Sequence, residues 1–131
     1  MKRFSCATII AIAALAAFAP AARADVTVLD NDKTLDVDCA KDPNISLLGN
    51  HLTLNAKGMC SRISISGNEA TVNASAGMVS VTGNKNTVNL DAADDVSVTG
   101  NDNTVTVHKP IKSKTTRISN PGSRNKISRP K

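Results

Sequence analysis

Val79–Leu90 reads VSVTGNKNTVNL, and Val96–Val107 reads VSVTGNDNTVTV. On both sides of a Gly-Asn corner, apolar residues alternate with polar ones, the period of a strand with one buried face. Three earlier stretches align with this pair without a gap: VTVLDNDKTLDV from Val26, ISLLGNHLTLNA from Ile45 and ISISGNEATVNA from Ile63. The buried pairs before the corner are Val26/Val28, Ile45/Leu47, Ile63/Ile65, Val79/Val81 and Val96/Val98. After it they are Leu35/Val37, Leu54/Ala56, Val72/Ala74, Val88/Leu90 and Val105/Val107.

From the second apolar residue before the corner to the first one after it, the separation is always seven. Between units it varies: eight, seven, five and six residues part Val37 from Ile45, Ala56 from Ile63, Ala74 from Val79 and Leu90 from Val96. Each unit is therefore a rung with two strands, one constrained corner and one tolerant corner. Rungs of 16 to 19 residues are too short for helical repeats and suit stacked coils about 4.8 Å apart. The expected fold is all-β, a single-domain parallel β-solenoid of about five to six short coils.

Column by column, the corner has a chemical reading. Gly49, Gly67, Gly83 and Gly100 are expected to supply a positive φ at the bend, with Asp30 imitating them in the first unit. Asn31, Asn50, Asn68, Asn84 and Asn101 form a complete column suited to a hydrogen-bonded ladder, and Asn86 and Asn103 a shorter one. Thr34, Thr53, Thr71, Thr87 and Thr104 form an outward column, and Ser46, Ser64, Ser80 and Ser97 an outward stripe.

The segments LDVDC, LNAKGMCSRISISGN and VSVTGNKNTVNL resemble a bacterial exported family, the domain of unknown function 3060. That family shows a Cys pair ahead of repeated V-x-V-x-G-x-x-N-x-V units, and the resemblance covers about residues 26 to 107. It implies the solenoid fold and brings neither an activity nor catalytic residues.

Residues 1–24 differ from the rest. Lys2 and Arg3 precede an apolar run from Ala7 to Ala19, and Ala22-Arg23-Ala24 offers small residues before Asp25. This is the pattern of a Sec signal peptide cut near Ala24, which implies a periplasmic or secreted chain without an integral membrane span. Cys6, which has no lipobox around it, reads as part of that signal. The only aromatic residues, Phe4 and Phe18, fall there too. Without aromatic faces from Asp25 onward, stacking on sugars or single-stranded nucleic acid loses support, and export argues against a nucleic-acid partner.

Cys39 and Cys60 are the remaining cysteines and fall on the tolerant corners of adjacent coils, a placement expected to give a disulfide worth about 3 kcal/mol. Charge is divided: residues 25–107 carry eleven acidic and five basic residues, residues 108–131 eight basic and none acidic. The 108–131 segment is expected to form a basic cap or partly ordered tail. Ile118, Asn120, Asn125 and Ile127 imitate a sixth coil with nine residues across its corner instead of seven. Lys109, Lys112, Lys114, Arg117, Arg124 and Lys126 are the candidate anion-binding residues, and their partner would be an anionic envelope polymer or another protein.

Catalytic chemistry finds little support. Asp91, Asp94 and Asp95 share one tolerant corner, Asp30 and Asp32 the first fixed one, and the loops of five to seven residues are short for a cleft. His51 and His108 lie in separate coils, so no Ser-His-acid set is expected. No cofactor and no metal site is expected. The leading expectation is a non-enzymatic envelope structural or binding protein, able to associate end to end through its open edges. The alternatives are a small carbohydrate-active or metal-dependent enzyme, and an ice-binding surface built on the Thr column.

Overall fold

A computed structural model describes residues 25–130, so the expected signal peptide lies outside the described residues. The chain forms one nine-stranded parallel sheet wound into a solenoid. Strands β1 (Asp25–Val28) and β2 (Thr34–Asp38) make the first coil, and β3 (Asn44–Leu48) opens the second. Then β4 (Thr53–Ser66), β5 (Thr71–Thr82) and β6 (Thr87–Thr99) each run from one coil into the next. The last coils are completed by β7 (Thr104–Val107), β8 (Arg117–Ser119) and β9 (Lys126–Ser128).

Register follows the sequence columns. Val26, Ile45, Ile63, Val79 and Val96 stack in parallel pairs, and so do Leu35, Leu54, Val72, Val88 and Val105. Their side chains fill the centre: Leu54, Ile63, Val72, Val79, Val88 and Leu90 are fully buried. Each such residue contributes roughly 1.5–3 kcal/mol when removed from water, so a core without aromatics is sufficient when every coil supplies several. Cys39, Cys60, Ala76 and Ala93 close the tolerant side of this core. Cys39 and Cys60 form a disulfide across adjacent coils, with Cα atoms 4.8 Å apart.

The tolerant corners are not loops in the middle of the molecule. There β4, β5 and β6 bend without ending, with register shifts between Asn55 and Met59 and between Ala74 and Ala76. Bulges absorb the length differences that the sequence shows between units, because an unpaired residue bends a strand without breaking it.

The glycine column has a second cause beside the expected one. Positive φ recurs two residues after the glycine position, at Asp32, His51, Glu69, Lys85, Asp102 and Arg124, with values of 54° to 57°. Gly49, Gly83 and Gly100 take the expected positive φ as well, but Gly67 does not. Close stacking is what all of them share: a Cβ on Gly49 would overlap the Asp30 carbonyl oxygen, and one on Gly67 the Gly49 carbonyl. Gly83, Gly100 and Gly122 repeat the relation to the coil before them. Asp30 is tolerated because no described coil precedes it, and it takes no positive φ.

The sixth coil corrects a second expectation. Ile118 pairs with Val96 and Ile127 with Val105, so its corner has the same length as the others. The position of Val98 is simply occupied by Asn120, whose Oδ1 accepts from Asn125 Nδ2 at 2.7 Å. Ser123 takes the place of the corner Asn through a bridge to Asn101.

Candidate binding face

Backbone pairing at the fixed corner is complete in both directions. Gly49 N–H donates to Ser66, His51 N–H to Asn68 and Thr53 N–H to Lys33, and the next coils repeat the pattern. Side chains add three ladders. At the corner, the Asn50 amide nitrogen and backbone N–H donate to Asn31 Oδ1, and Asn68, Asn84 and Asn101 continue the series. Inside, buried Asn86 and Asn103 accept from the backbone N–H of Ala70 and Asn86, and donate to the carbonyls of Gly67 and Gly83. Asn125 extends this inner ladder to Asn103 and Gly100.

The third ladder lies on the outer face that follows the corner. Asn55 donates to Asp36, Asn73 to Asn55 and Asn89 to Asn73, at 3.1 to 3.2 Å. Beside it Thr34, Thr53, Thr71, Thr87 and Thr104 stand in parallel register, followed by Lys126. The amides of this face are thus committed to one another.

Acidic and basic residues alternate along the left-handed corner column. His51 lies 3.3 Å from Asp32 and 2.7 Å from Glu69, Lys85 is 3.5 Å from Glu69, and Arg124 binds Asp102. The His51 hydrogen bond, joined by the charge of Lys85, holds the Glu69 carboxyl below its ordinary value. Arg124 does the same for Asp102, and its own guanidinium is pushed upward in return.

The face before the corner carries hydroxyls and charged groups outside these ladders. Its middle column runs Thr27, Ser46, Ser64, Ser80, Ser97, Ser119, and the column beside it runs Asp25, Asn44, Arg62, Met78, Asp95, Arg117. A groove of about 800 Å³ opens here, lined by Ser64, Ser80, Ser97 and Ser119, by the apolar Met78 and Ile118, and by Arg62, Arg117 and Arg129. Asp95 is the only acid lining it, with its oxygen 3.7 Å from Arg117 Nε. Rigid parallel strands hold the serines, so the hydroxyls repeat at about 4.8 Å along the axis.

The six candidate anion-binding residues are dispersed by the fold. Arg117 lines the groove, Arg124 is bound to Asp102 at the fixed corner, and Lys126 continues the Thr column on the opposite face. Lys109, Lys112 and Lys114 belong to the tolerant corner of the last coil. Asp94 fastens that segment by accepting from the backbone N–H of Ile111, Lys112 and Ser113 at 2.8 to 3.3 Å. The Lys112 amide foremost, then those of Ile111 and Ser113, holds the Asp94 carboxyl below its usual range. Buried Thr116 closes the segment by donating to the Ala93 carbonyl at 2.7 Å.

Sequence reading missed Arg62 and Arg129. Arg62 had a visible signal, since it immediately precedes Ile63, as Arg117 precedes Ile118. Arg129 had none, because its approach to the groove depends on how the chain leaves β9. Among the described residues, no three His, Cys, Asp or Glu side chains are grouped to hold a metal ion. Nor is any helix there long and apolar enough to cross a membrane.

No curated protein and no solved structure matches the chain. Residues 68–124, from the third corner Asn to the last left-handed corner residue, match the model of a family described as a protein of unknown function, DUF3060, the family that the repeat resembles.

Proposed function

We propose that the protein is an exported, non-enzymatic binding solenoid that takes an anionic envelope polymer along its arginine–serine face. The observation that carries this reading is the groove itself, whose lining brings three arginines and a row of hydroxyls together with a single acid. Guanidinium groups bind carboxylate or phosphate through paired donors, and hydroxyls accept or donate between them. Without aromatic side chains from Asp25 onward, recognition rests on charge and hydrogen bonding, which suits a repeating anion better than a neutral sugar.

The Cys39–Cys60 disulfide fits an exported chain. Two observations favour binding over a carbohydrate-active or metal-dependent enzyme. Asp94, the central carboxylate of the acidic corner, is occupied by three backbone amides. The groove is bordered by Asp95 alone among acids, whereas glycoside hydrolysis uses a pair of carboxylates.

Binding of polygalacturonate and of polyphosphate, measured at low and high salt, tests the reading. Replacing Arg62, Arg117 and Arg129 by Ala should weaken binding at least tenfold, while replacing Lys109, Lys112 and Lys114 should leave most of it. Equal losses in the two triple variants would overturn the site, and release of shortened polymer would overturn the non-enzymatic reading.

A further inference from the structure

Parallel coils leave the solenoid with two unlike ends. One is the open edge of β1 and β2, the other that of β8 and β9. Stacking a second copy head to tail would set its first coil against the last coil of its neighbour and continue every column. The apolar columns suit this, because Val26 and Leu35 at one end and Ile118 and Ile127 at the other are half-buried and lack one stacking neighbour among the described residues.

Two charged columns suit it as well. One starts at Asp25 and ends at Arg117, and the left-handed corner column starts at Asp32 and ends at Arg124. A second copy would place Asp32 on the free side of Arg124, as Glu69 stands beside Lys85 within the chain. Head-to-head and tail-to-tail contacts would instead oppose like charges.

A single column forbids the stack. From Gly49 to Gly122, each corner position lies so near the carbonyl oxygen of the preceding coil that a Cβ would overlap it. Asp30 is the one residue of that column with a Cβ, and it lies in the first coil. In a head-to-tail stack its Cβ would fall on the Gly122 carbonyl of the neighbouring copy.

We propose that Asp30 is a built-in stop, which keeps the first coil of one chain from adding to the last coil of another. The partner excluded is a second copy of this chain, and the feature responsible is the Cβ of residue 30 and not its charge. Asp30→Gly therefore opens the edge, whereas Asp30→Ala does not.

The test uses the chain from Asp25, which contains every described strand, at several concentrations in sedimentation velocity. The wild type and Asp30→Ala should sediment as monomers, and Asp30→Gly should form larger species that grow with concentration. Adding Arg117→Asp to Asp30→Gly should weaken that association by setting an acid against Asp25 of the neighbouring copy. Circular dichroism and thermal melts establish that each variant is folded, which is expected because Gly stands at this place in the other five coils. The proposal is overturned if the wild type stacks end to end, if Asp30→Ala associates like Asp30→Gly, or if folded Asp30→Gly stays monomeric throughout. Failure of Asp30→Gly to fold overturns it as well, because a glycine would then be unable to stand where the proposal needs one.

Discussion

Arg124 grips Asp102 through two hydrogen bonds, Nε to Oδ1 at 2.7 Å and Nη2 to Oδ2 at 2.8 Å. The two residues are 22 apart in sequence but occupy the same place in adjacent coils, and both have left-handed backbone. A non-glycine residue adopts that conformation at a cost of roughly 1–2 kcal/mol, so the corner must be held from outside. Backbone pairing and the alternating charges of this column supply the hold.

Reversing one charge should therefore loosen the final coil. Arg124→Asp is expected to speed cleavage within residues 117–128 under limited proteolysis, while the double exchange Asp102→Arg with Arg124→Asp restores protection. Equal protection in the single variant and the wild type would show that the column adds nothing to the order of the last coil.

Asp94 gives a pH dependence with a definite sign. Its carboxyl is lowered in the folded chain, chiefly by the Lys112 amide. The stabilisation is thus fully present above the ordinary Asp value of about 3.9 and is lost as pH falls through the lower folded value. Protection of the amides of Ile111, Lys112 and Ser113 from hydrogen exchange should fall across that acidic window. Asp94→Ala should show low protection at every pH, with the strands of the middle coils unchanged.

Two glycines separate outright overlap from a merely tight contact. A Cβ on Gly67 would overlap the Gly49 carbonyl, whereas one on Gly77 would lie 3.3 Å from the Ser61 oxygen. Gly67→Ala should cost about 1–3 kcal/mol or more in urea unfolding, as overpacked sites do, and Gly77→Ala should cost markedly less. Similar losses would remove the stacking explanation of the column.

Asn103 is a second place where one side chain serves several coils. It accepts from Asn86 N–H and donates to the Gly83 carbonyl, and it is fully buried. Asn103→Ala leaves a donor and an acceptor without partners, each at about 1–3 kcal/mol. Asn103→Leu should fare no better, although the same slot holds Leu52 in the second coil, because Asn86 and Gly83 would remain unpaired. Unfolding midpoints of the two variants check this.

Breaking the Cys39–Cys60 bond should cost about 3 kcal/mol, the entropy of a loop of this length. The Cys39→Ser and Cys60→Ser double variant should retain the spectrum of the fold but melt earlier. Its first coil, whose β2 has only β4 as a neighbour, should exchange amide hydrogens first.

What could be read from the chain was whatever repeats along it. Alternation assigned Val26, Ile45, Ile63, Val79 and Val96 to the core, and the variable spacers pointed to the tolerant corner. Relations between coils were less legible. Gly67 looks like a bend residue when its own unit is read alone, and its real constraint is the Gly49 carbonyl of another coil. Ile118 is the apolar residue nearest its corner, as Val98 is in the coil before, yet pairing sets it beside Val96. The basic residues of the tail read as one patch because no acid lies between them in sequence, and winding the segment into a coil sends Arg117, Arg124 and Lys126 in different directions. Arg62 joins Arg117 only after the strands are stacked.

The fixed corner and the bulged corner together separate distance in space from distance along the chain. Ser64 and Ser80 are 16 residues apart, Ser80 and Ser97 are 17, and Ser97 and Ser119 are 22. Stacking nevertheless sets all three steps at about 4.8 Å. The molecule is in effect a ruler, graduated by its backbone hydrogen bonds, and residues added at the tolerant edge lengthen the chain without moving a mark.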